Sequence, residues 1–304
     1  LLHEDYQEQT GNTLPYRNVY FNVSTNGGTT WSADIRVNSG NVVTSSFAMR
    51  SRGAVSSSGR YFVVFEDQRN GRPDIYLNYT DDRGANWLTA DIRISRGTPG
   101  ATSTTHPKIA TFDSVVYVVY EDVRDGVISS MYLNRSLDDG VSWQALDTLL
   151  SSGTAHAFDA QTVVASDGRF HVVFQDYAEG LPLIRCLTST DSGASFVSAI
   201  VDARRGFSST PQIVVSQSGN PIVAYLDNRD GYRDVYLNFS LDRGVSFHAF
   251  DLRMNLGVSA GTADAQGIRL VPLFSAQGAG VAWFDPRTNG LQSDVFFKAT
   301  SYVP

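Results

Sequence analysis

The sequence is poor in residues that several common classes of protein depend on. It has one cysteine (Cys186), two lysines and five glutamates among 304 residues, against 22 arginines and 26 aspartates. A single cysteine excludes an intrachain disulfide and a thiolate metal centre. The scarcity of lysine and glutamate removes the residues typical of exposed helix faces. The longest apolar runs, 115–120 and 61–65, are far too short to cross a bilayer as a helix, so we expect no membrane span.

Charge and composition narrow the function classes further. The formal net charge of −7 and an isoelectric point near 5.2 argue against sequence-independent binding to nucleic acid. With 42% hydrophobic residues the chain can bury a sizeable core, so it is neither disordered nor a small stapled scaffold. Its 26 glycines and its Ser/Thr-rich stretches predict many turns and few helices.

An octapeptide recurs five times with the pattern Ser/Thr-x-Asp/Asn-x-Gly-x-x-Trp/Phe. The starts of successive copies are separated by 56, 56, 53 and 51 residues, which is a near-constant register. The recurring positions are Ser24, Asn26, Gly28 and Trp31; Thr80, Asp82, Gly84 and Trp87; Ser136, Asp138, Gly140 and Trp143; Ser189, Asp191, Gly193 and Phe196; and Ser240, Asp242, Gly244 and Phe247. Five copies at one spacing indicate a repeat protein with one copy in each unit.

The chemistry of the octapeptide predicts a turn between two strands. A β-rich segment precedes it, as at 74–79 and 234–239. Ser/Thr and Asp side chains bond backbone amides in tight turns, and the glycine supplies a positive φ that a side chain would penalise. The aromatic residue begins the returning strand, and we expect it to be a buried anchor against the neighbouring layer. The octapeptide is therefore predicted to be structural.

A second landmark lies upstream of each octapeptide: an apolar run ending in an aromatic residue, then one residue, then an aspartate. The instances end at Asp67, Asp122, Asp176, Asp227 and Asp285, and His3-Glu4-Asp5 fits the same pattern with histidine as the aromatic residue. Four of these aspartates have an arginine two positions later: Arg69, Arg124, Arg229 and Arg287. This landmark counts six units.

Each complete unit reads as four strands, A to D. In the second unit, strand A lies near 47–55, strand B near 61–66, strand C at 74–79, and strand D follows Trp87 through Ile94. The first unit begins at the close of a B strand, and the last unit stops after a C strand.

Four-stranded units that repeat about every 56 residues, with no helical period between them, predict an all-β fold. The expected architecture is a β-propeller of four-stranded antiparallel blades. We expect six blades in a single domain; five blades are the alternative. The predicted blades cover 1–46, 47–104, 105–157, 158–208, 209–263 and 264–304.

The octapeptide resembles the Asp box, also called the BNR repeat, and through its five copies the whole chain resembles the sialidase-like Asp-box β-propellers. The resemblance implies that the five octapeptides are C–D turns on the rim opposite the usual ligand face. Sialidases, other glycoside hydrolases, lectins and non-enzymatic surface proteins share the motif, so the fold does not settle the function.

The sequence departs from the sialidases of this family at their catalytic motif. Those enzymes carry an Arg-Ile-Pro motif, three arginines that hold the sugar carboxylate, an Asp acid/base, and a Tyr paired with a Glu. No Arg-Ile-Pro occurs in this sequence, and Glu66 and Glu121 occupy the same repeat position, which favours a structural role for both. No catalytic residue is assigned.

Two sets of residues are candidates for ligand binding. The Asp-x-Arg pairs at the ends of the B strands should share one rim, where the guanidinium groups would either bind acidic or hydroxylated ligands or hold their own loops. These pairs are Asp67/Arg69, Asp122/Arg124, Asp227/Arg229 and Asp285/Arg287.

The second set stands at the start of strand A, near the expected axis. Successive units place Phe47, His106, Asp159, Thr210 and Asp264 there. The asymmetric cluster of His106, Asp159 and Asp264 would bind a ligand or hold a cation; the alternative is that these residues are solvated or cap their strands.

These observations predict a non-catalytic extracellular β-propeller that binds a ligand or serves as a scaffold, with a glycan as the expected ligand by resemblance. One alternative is a sialidase-like glycoside hydrolase or lyase using carboxylates near the axis, with Asp159 and Asp264 as the first candidates. Another is a structural domain of a larger surface protein. The expected partners are a glycan or another surface protein, not nucleic acid, at an extracellular, cell-surface or periplasmic location. We expect that no cofactor is required, and the sequence leaves open whether a structural Ca²⁺ is bound.

Overall fold

The structure is a computed structural model that describes residues 1–7, 16–39, 47–124, 126–203, 206–273, 278–287 and 294–301, except for the side chains of 5–7, 16 and 301. The chain divides into two compact units, Leu1–Gly153 (unit 1) and Thr154–Pro304 (unit 2). Within the described ranges every regular element is a β-strand. An apolar helix able to cross a membrane is therefore absent from this part of the chain.

Unit 1 contains three antiparallel sheets whose strands follow the order of the chain: sheet 1 has three strands, and sheets 2 and 3 have four each. Sheet 1 is formed by β1 (Leu2–Gln7), β2 (Tyr16–Phe21) and β3 (Ile35–Arg36). Sheet 2 is formed by β4 (Ala48–Val55), β5 (Tyr61–Asp67), β6 (Asp74–Thr80) and β7 (Ile92–Arg93). Sheet 3 is formed by β8 (Thr104–Phe112), β9 (Val115–Asp122), β10 (Ser130–Ser136) and β11 (Thr148–Leu149).

Unit 2 repeats this arrangement with two four-stranded sheets and one three-stranded sheet. Sheet 4 is formed by β12 (Ala157–Val164), β13 (Phe170–Asp176), β14 (Leu183–Ser189) and β15 (Val197–Ile200). Sheet 5 is formed by β16 (Ser209–Val215), β17 (Pro221–Asp227), β18 (Asp234–Phe239) and β19 (Leu252–Arg253). Sheet 6 is formed by β20 (Gln266–Leu273), β21 (Gly278–Asp285) and β22 (Asp294–Ser301). The six sheets confirm the six units counted in the sequence.

The B strands are buried on both faces, which explains their unbroken apolar runs. Every residue of β13 and of β17 is buried. A strand covered on both faces needs a layer on each side, and the apolar clusters supply these layers within each unit. In unit 1, Phe62 and Ile75 of sheet 2 pack with Val118 and Tyr120 of sheet 3.

Unit 2 is built in the same way. Ile184 and Cys186 of sheet 4 pack with Val223 and Tyr225 of sheet 5, and a further cluster joins sheets 5 and 6. Burial raises the pKa of the Cys186 thiol to about 12, so this single cysteine is a protonated core residue at neutral pH.

The octapeptides form the turns between strands C and D in five sheets, as the sequence predicts. In sheet 2 the Thr80 hydroxyl donates to Asp82 Oδ1 at 2.7 Å and accepts from the Gly84 amide at 3.0 Å. Asp82 Oδ1 also accepts from the Asn86 amide at 2.8 Å. The same three hydrogen bonds recur in the other four turns. The amide and hydroxyl donors hold the pKa of Asp82 at about 2.

The turn glycine adopts a positive φ and brings the turn against the preceding sheet of its unit. Gly84 has a φ of +92°, and a Cβ built on it would lie 2.5 Å from the Phe21 ring of sheet 1. A Cβ on Gly140 would lie 2.5 Å from the Phe62 ring of sheet 2. Both the conformation and the close approach therefore require glycine.

The D strands are shorter than the sequence predicts. Strand D of sheet 2 was expected from Trp87 through Ile94, but only Ile92–Arg93 forms a ladder. The buried Asn78 side chain replaces the rest of the ladder, because its amide donates to Leu88 O at 3.2 Å and its Oδ1 accepts from the Leu88 amide at 2.9 Å. Sheet 4 has Leu187 at the equivalent position of strand C, and its D strand extends over four residues.

The aromatic residue of the octapeptide is less buried than expected. Trp31 is 51% exposed, and the other four aromatic residues are half-buried. Trp87 does pack on the preceding sheet, with its ring centroid 5.6 Å from that of Phe21. Trp31 belongs to the first sheet of unit 1, so no preceding sheet of its unit covers it.

Candidate functional site

The first strand of five sheets carries a β-bulge at the same position. Pairing with strand B shifts there in β4, β8, β12, β16 and β20. One residue of each bulge has a positive φ: Arg50 (51°), His106 (55°), Asp159 (56°), Thr210 (47°) and Gly267 (59°). A side chain in this conformation costs about 1–2 kcal/mol. Four sheets nevertheless carry a polar residue there, and each residue is chemically different.

This register corrects the alignment made from the sequence. Phe47 and Asp264 do not occupy the position of His106, Asp159 and Thr210; they lie three residues before Arg50 and Gly267. All five first strands carry the bulge, so it does not cause this three-residue offset; the offset follows from the pairing register of each first strand, which the sequence pattern does not mark.

In unit 1 a buried glutamate links the bulges of sheets 2 and 3. Glu66, 1% exposed on β5, accepts from Arg50 Nη1 at 2.8 Å and from the backbone amide of His106 at 2.7 Å. Burial raises the pKa of Glu66, although both donors work in the opposite direction. Arg50 is 47% exposed, so its guanidinium extends from the buried carboxylate towards solvent.

A second carboxylate orients the His106 ring. Glu121 Oε2 on β9 lies 3.2 Å from His106 Nδ1, and the hydrogen bond from the ring to Glu121 raises the pKa of His106 above its usual value. The Glu121 side chain is 8% exposed, whereas His106 is 42% exposed. The imidazole therefore has Nδ1 held by a buried acceptor, while much of the side chain is exposed.

The Asp-x-Arg pairs form a repeated structural contact that we call the Arg lock. In sheet 2 the Arg69 guanidinium donates to Asp67 at 2.6 Å and to Asp91 at 2.7 Å and stacks over the Tyr76 ring at 4.1 Å. The other Arg locks join Arg124 to Asp122, Asp147 and Tyr132; Arg229 to Asp227, Asp251 and Tyr236; and Arg287 to Asp285 and Phe296.

The geometry of the Arg locks favours their structural role over ligand binding. Burial opposes the charge of Arg69, Arg124 and Arg229, but the paired carboxylates outweigh it and the pKa of each arginine is raised. The four arginine side chains are only 6–29% exposed. Their guanidinium groups are already matched by buried acceptors, so ligand binding by the eight residues of these pairs stays a prediction.

Sheet 4 departs from this scheme. Ala178 stands where sheets 2, 3, 5 and 6 have the lock arginine, and Arg185 on strand C pairs with the buried Asp176 instead. Arg185 occupies the place of Tyr76, the ring on which the lock arginine stacks in sheet 2. The Arg185 guanidinium thus contacts Asp176 from strand C. The B–C loop of sheet 4 has no lock arginine and carries Tyr177 and Glu179.

An aromatic patch surrounds this altered loop. It consists of His156, Phe158, Tyr177 and Phe207. The ring centroids of Phe158 and Tyr177 are 5.9 Å apart, and those of Tyr177 and Phe207 are 6.2 Å apart, both edge-to-face. His156 stacks on Phe158 at 5.4 Å. Phe207 is 43% exposed and Tyr177 is half-buried, so ring faces and edges are open to a ligand.

A polar cavity of about 150 Å³ in unit 2 contains three of the bulge residues, Asp159, Thr210 and Gly267. The side chains of Gln161, Gln212 and Arg269 complete its polar lining. A cavity of this size has room for several water molecules. Thr210 Oγ1 is buried and makes no hydrogen bond with the described residues.

The aromatic patch and this cavity are neighbours. Phe158 and Asp159 are consecutive in β12. The pKa of Tyr177 is raised, first by burial and second by the negative charge of Asp159, so the Tyr177 and Asp159 side chains interact. Asp159 is exposed. Apolar ring faces therefore lie beside a carboxylate and the amides of the cavity.

Asp264, the other predicted carboxylate, lines a different cavity. This larger cavity of about 390 Å³ also contains Tyr232 and Arg287. Arg233 donates to both oxygens of Asp264, at 2.7 and 2.6 Å, and this pairing lowers the pKa of Asp264. The predicted cluster with Asp159 is therefore not seen in unit 2, because the two carboxylates face separate cavities.

A single hydroxyl bridges two buried carboxylates beside the aromatic patch. Ser208 Oγ lies 2.9 Å from Asp202 Oδ2 and 2.6 Å from Asp227 Oδ2, yet it has one proton to donate. Burial raises the pKa of Asp202 to about 6. Protonated Asp202 can donate to Ser208, which then donates to Asp227. Sheets 2, 3 and 5 place the neutral side chains of Ser95, Ser151 and Asn255 at this position.

Metal binding was left open by the sequence. In the described part of the chain, no group of three or more His, Cys, Asp or Glu side chains is arranged to hold a metal ion. A structural Ca²⁺ stays an untested prediction.

Sequence reasoning missed Arg50, Phe158, Tyr177 and Phe207 as site residues. The loss of the lock arginine at Ala178 was visible in the sequence and pointed to sheet 4. The aromatic residues come from three different segments, however, and their grouping depends on the fold.

Comparisons with known proteins connect this geometry to a fold. No protein-family profile and no curated protein sequence matches the chain. Among solved structures, an ulvan lyase of a polysaccharide lyase family, bound to -[GlcA(1-4)Rha3S]-, is similar with a TM-score of 0.61 at 13% identity, over 96% of this chain and 72% of the lyase.

Two sialidases are also similar. A Hadza microbial sialidase has a TM-score of 0.52 at 16% identity, over 95% of this chain and 64% of that enzyme. The Trypanosoma rangeli sialidase in complex with sialic acid has a TM-score of 0.51 at 14% identity, over 98% of this chain and 51% of that enzyme. At these identities the likeness shows the fold: the chain is an all-β, sialidase-like β-propeller whose six sheets are its blades.

Proposed function

We propose that this chain is a glycan-binding β-propeller of the Asp-box type that lacks the sialidase catalytic set, and that its glycan binds at the aromatic patch and the adjoining cavity of unit 2. The observation that carries the proposal is the departure of sheet 4. Unlike sheets 2, 3, 5 and 6, this sheet has a strand arginine in place of the Arg lock, and its B–C loop presents Tyr177 beside Phe158 and Phe207.

The chemistry of the patch suits a sugar. The face of an aromatic ring is electron-rich, and the C–H groups on one face of a pyranose are polarised by their neighbouring oxygens, so the two faces attract each other. The hydroxyl groups of the sugar need donors and acceptors, which Asp159, Gln161 and Arg269 supply in the cavity. Binding sites generally combine apolar walls with a few polar groups in this way.

The comparisons support a glycan as the ligand class, because the similar structures include two sialidases and a polysaccharide lyase. A location outside the cytoplasm is part of the proposal, since that is where complex glycans are displayed. Catalysis is not part of it, because Asp159 and Asp264 line separate cavities.

A glycan array probed with the full chain tests the proposal, followed by calorimetric titration of the best glycan. Tyr177→Ala and Phe207→Ala should each weaken binding by at least about fivefold, as truncation of an aromatic contact does in other interfaces. Phe250→Ala is the matched control, because Phe250 is 53% exposed but lies outside the patch.

Two results would overturn the proposal. Equal affinities in all three variants would show that the patch does not hold the glycan. Turnover of fluorogenic glycosides that disappears in Asp159→Asn would show a hydrolase in place of a binding protein.

A further inference from the structure

Sheet 4 has an acid at a position where four other sheets have a neutral side chain. Two residues after strand D, each of these sheets places a side chain that accepts a hydrogen bond from a strand C amide. In sheet 4 this residue is Asp202, whose Oδ1 lies 3.0 Å from the Ile184 amide. The equivalent residues of sheets 1, 2, 3 and 5 are Asn38, Ser95, Ser151 and Asn255.

Sheets 2 and 5 show how the loop after strand D can be held independently of pH. An aspartate at the start of strand C, Asp74 or Asp234, accepts from a glycine amide of this loop at 3.0 or 2.9 Å. The same aspartate pairs with an arginine of strand D, Arg93 or Arg253. Backbone amides and guanidinium groups keep their protons over the ordinary pH range, so neither contact changes with pH.

Sheet 4 holds its loop through a shared hydroxyl. Leu183 stands at the start of strand C in place of the aspartate, and within the described residues Asp202 forms no salt bridge. Ser208 Oγ lies 2.9 Å from Asp202 Oδ2 and 2.6 Å from Asp227 Oδ2. None of these last three residues is more than 8% exposed. One hydroxyl proton therefore serves two buried carboxyl groups.

A proton on Asp202 completes this arrangement. Protonated Asp202 donates to Ser208, and Ser208 donates to Asp227, so each of the two contacts contains one proton. When Asp202 is ionised, Ser208 can donate to only one of the two carboxylates, and two negative charges flank one buried oxygen. A buried acceptor without a donor is costly, so ionisation favours a shift of Ser208 away from the carboxylates.

The segment 206–208 connects this arrangement to the aromatic patch. Phe207 directly precedes Ser208 in the chain. The backbone before it is in close contact with the same carboxylate, because a Cβ built on Gly206 would lie 2.0 Å from Asp227 Oδ1. A shift of Ser208 away from Asp227 therefore also moves Phe207, whose ring is part of the patch.

We propose that the hydrogen bonds of Ser208 form a pH switch for the aromatic patch: protonated Asp202 holds Phe207 in the position that binds the ligand, and ionised Asp202 releases it. The pH switch rests on the function proposed above, because it regulates the same glycan site. Asp202 is a positioning residue, since it acts on the ligand through Ser208 and Phe207.

The direction of the pH effect follows from the surroundings of Asp202. Burial first, and the charge of Asp227 with it, raises the pKa of Asp202 from 3.8 to about 6, against the hydrogen bonds from Ser208 and Ile184. The held state is therefore fully favoured below about pH 4 and is lost as the pH rises through about 6. Each pKa unit is worth a factor of ten, so the effect on affinity is limited to about a hundredfold.

Other titratable or charged groups surround Asp202. They are Asp227 and Tyr225 on β17, Arg229 and Asp251 of the Arg lock of sheet 5, and Glu179 in the B–C loop of sheet 4. Arg204 and Arg205 follow Asp202 in the chain and lie outside the described residues.

The first measurement needs no glycan. It is hydrogen exchange of the full chain, followed by mass spectrometry, at about pH 5 and about pH 8. The Phe207 amide donates to Asn228 Oδ1 at 2.9 Å and the Ser208 amide donates to Pro182 O at 3.2 Å, so both are protected while the segment is held. After correction for the intrinsic effect of pH on exchange, we expect this protection to fall at least about fivefold at the higher pH.

The second measurement repeats the glycan array at the same two pH values, with calorimetric titration of the glycan that binds most strongly. We expect its affinity to be at least about fivefold lower at about pH 8 than at about pH 5.

Two variants should fix the pH switch in opposite states. Asp202→Asn can donate to Ser208 at every pH, as Asn255 donates to an aspartate in sheet 5, so protection and affinity should stay high at the higher pH. Ser208→Ala removes the shared hydroxyl, so both should already be low at the lower pH. Asp167→Asn is the matched control: it removes a carboxylate of the same sheet that pairs with Arg169 at the surface, and should keep the pH dependence of the parent chain.

A histidine in the patch provides a separate check, because histidines also change charge in this pH range. His156 stacks on Phe158 with ring centroids 5.4 Å apart. His156→Gln removes the titrating ring and should keep the pH dependence that Asp202→Asn removes.

Three results would contradict the pH switch: equal protection of 206–208 at both pH values, an unchanged pH dependence in Asp202→Asn, or loss of that dependence in His156→Gln. A glycan that binds equally at both pH values would leave the proposed function standing and overturn the pH switch. If no glycan binds at either pH, the proposed function fails, whereas a pH-dependent protection that Asp202→Asn abolishes would still support the release of Phe207.

Discussion

Replacing Gly84 with alanine should destabilise the chain by about 2–5 kcal/mol, because the substitution meets two separate obstacles. The first is the backbone: Gly84 has a φ of +92°, which costs a side chain about 1–2 kcal/mol. The second is contact, since the new Cβ would lie 2.5 Å from the Phe21 ring of the preceding sheet. Overpacking of this kind typically adds about 1–3 kcal/mol.

The Phe21 ring has little room to move away. It is 7% exposed and is enclosed by Tyr61 and Trp87, with ring centroids 5.0 and 5.6 Å distant. Gly59→Ala is the matched control, because Gly59 has a φ of +88° and nothing within 4 Å of its Cβ position. The control should therefore lose only the backbone part, about 1–2 kcal/mol.

The assay is urea unfolding followed by circular dichroism, with Phe21→Leu completing a double-mutant cycle. Leucine makes room for the new methyl group, so the coupling free energy between Gly84→Ala and Phe21→Leu should be at least about 1 kcal/mol. Equal losses for Gly84→Ala and Gly59→Ala, together with a coupling energy near zero, would refute the packing of this turn against the neighbouring sheet.

Two further predictions concern the irregular sheet and its surroundings. The pKa of Asp202 is raised to about 6 in the folded chain from an ordinary 3.8, so its contribution of about 2–3 kcal/mol is fully present below about pH 4 and is lost as the pH rises through about 6. Asp202→Asn should flatten the stability profile over this window in urea unfolding; an unchanged slope would contradict the assignment. Arg185→Ala should cost about 3–5 kcal/mol, because it leaves the buried Asp176 without its cation. The double variant Ala178→Arg/Arg185→Tyr recreates an Arg lock of the kind seen in sheet 6, with one aspartate and one aromatic ring, and should recover much of that loss, whereas no recovery would show that the two arrangements are not equivalent.

The features that could be predicted from the sequence are those that interactions between nearby residues determine. The octapeptide turns depend on hydrogen bonds within five residues, such as Thr80 to Gly84, and on one glycine conformation. The B strands follow from short apolar runs, and the six units follow from counting them. These features need no knowledge of distant contacts.

The parts that sequence reasoning missed depend on register and on distant partners. The bulge at Arg50 shifts the first strand by one residue against strand B, and neither residue type nor spacing marks such a shift. The length of strand D depends on whether Asn78 or Leu187 faces it from strand C. The aromatic patch joins side chains from the start of β12, the loop after β13 and the end of the loop before β16, which only the folded chain brings together.

The central claim is that the recurrent residues of this chain build its sheets, while the irregular residues of sheet 4 bind its ligand. Measuring stability and glycan affinity side by side in Arg124→Met and Phe207→Ala tests this claim most directly. Arg124→Met leaves Asp122 and Asp147 buried without their cation and should lower the free energy of unfolding by about 3 kcal/mol or more without changing the affinity of the folded protein. Phe207→Ala should weaken glycan binding by at least about fivefold with little loss of stability. The opposite pattern, with affinity lost in Arg124→Met and retained in Phe207→Ala, would contradict the account.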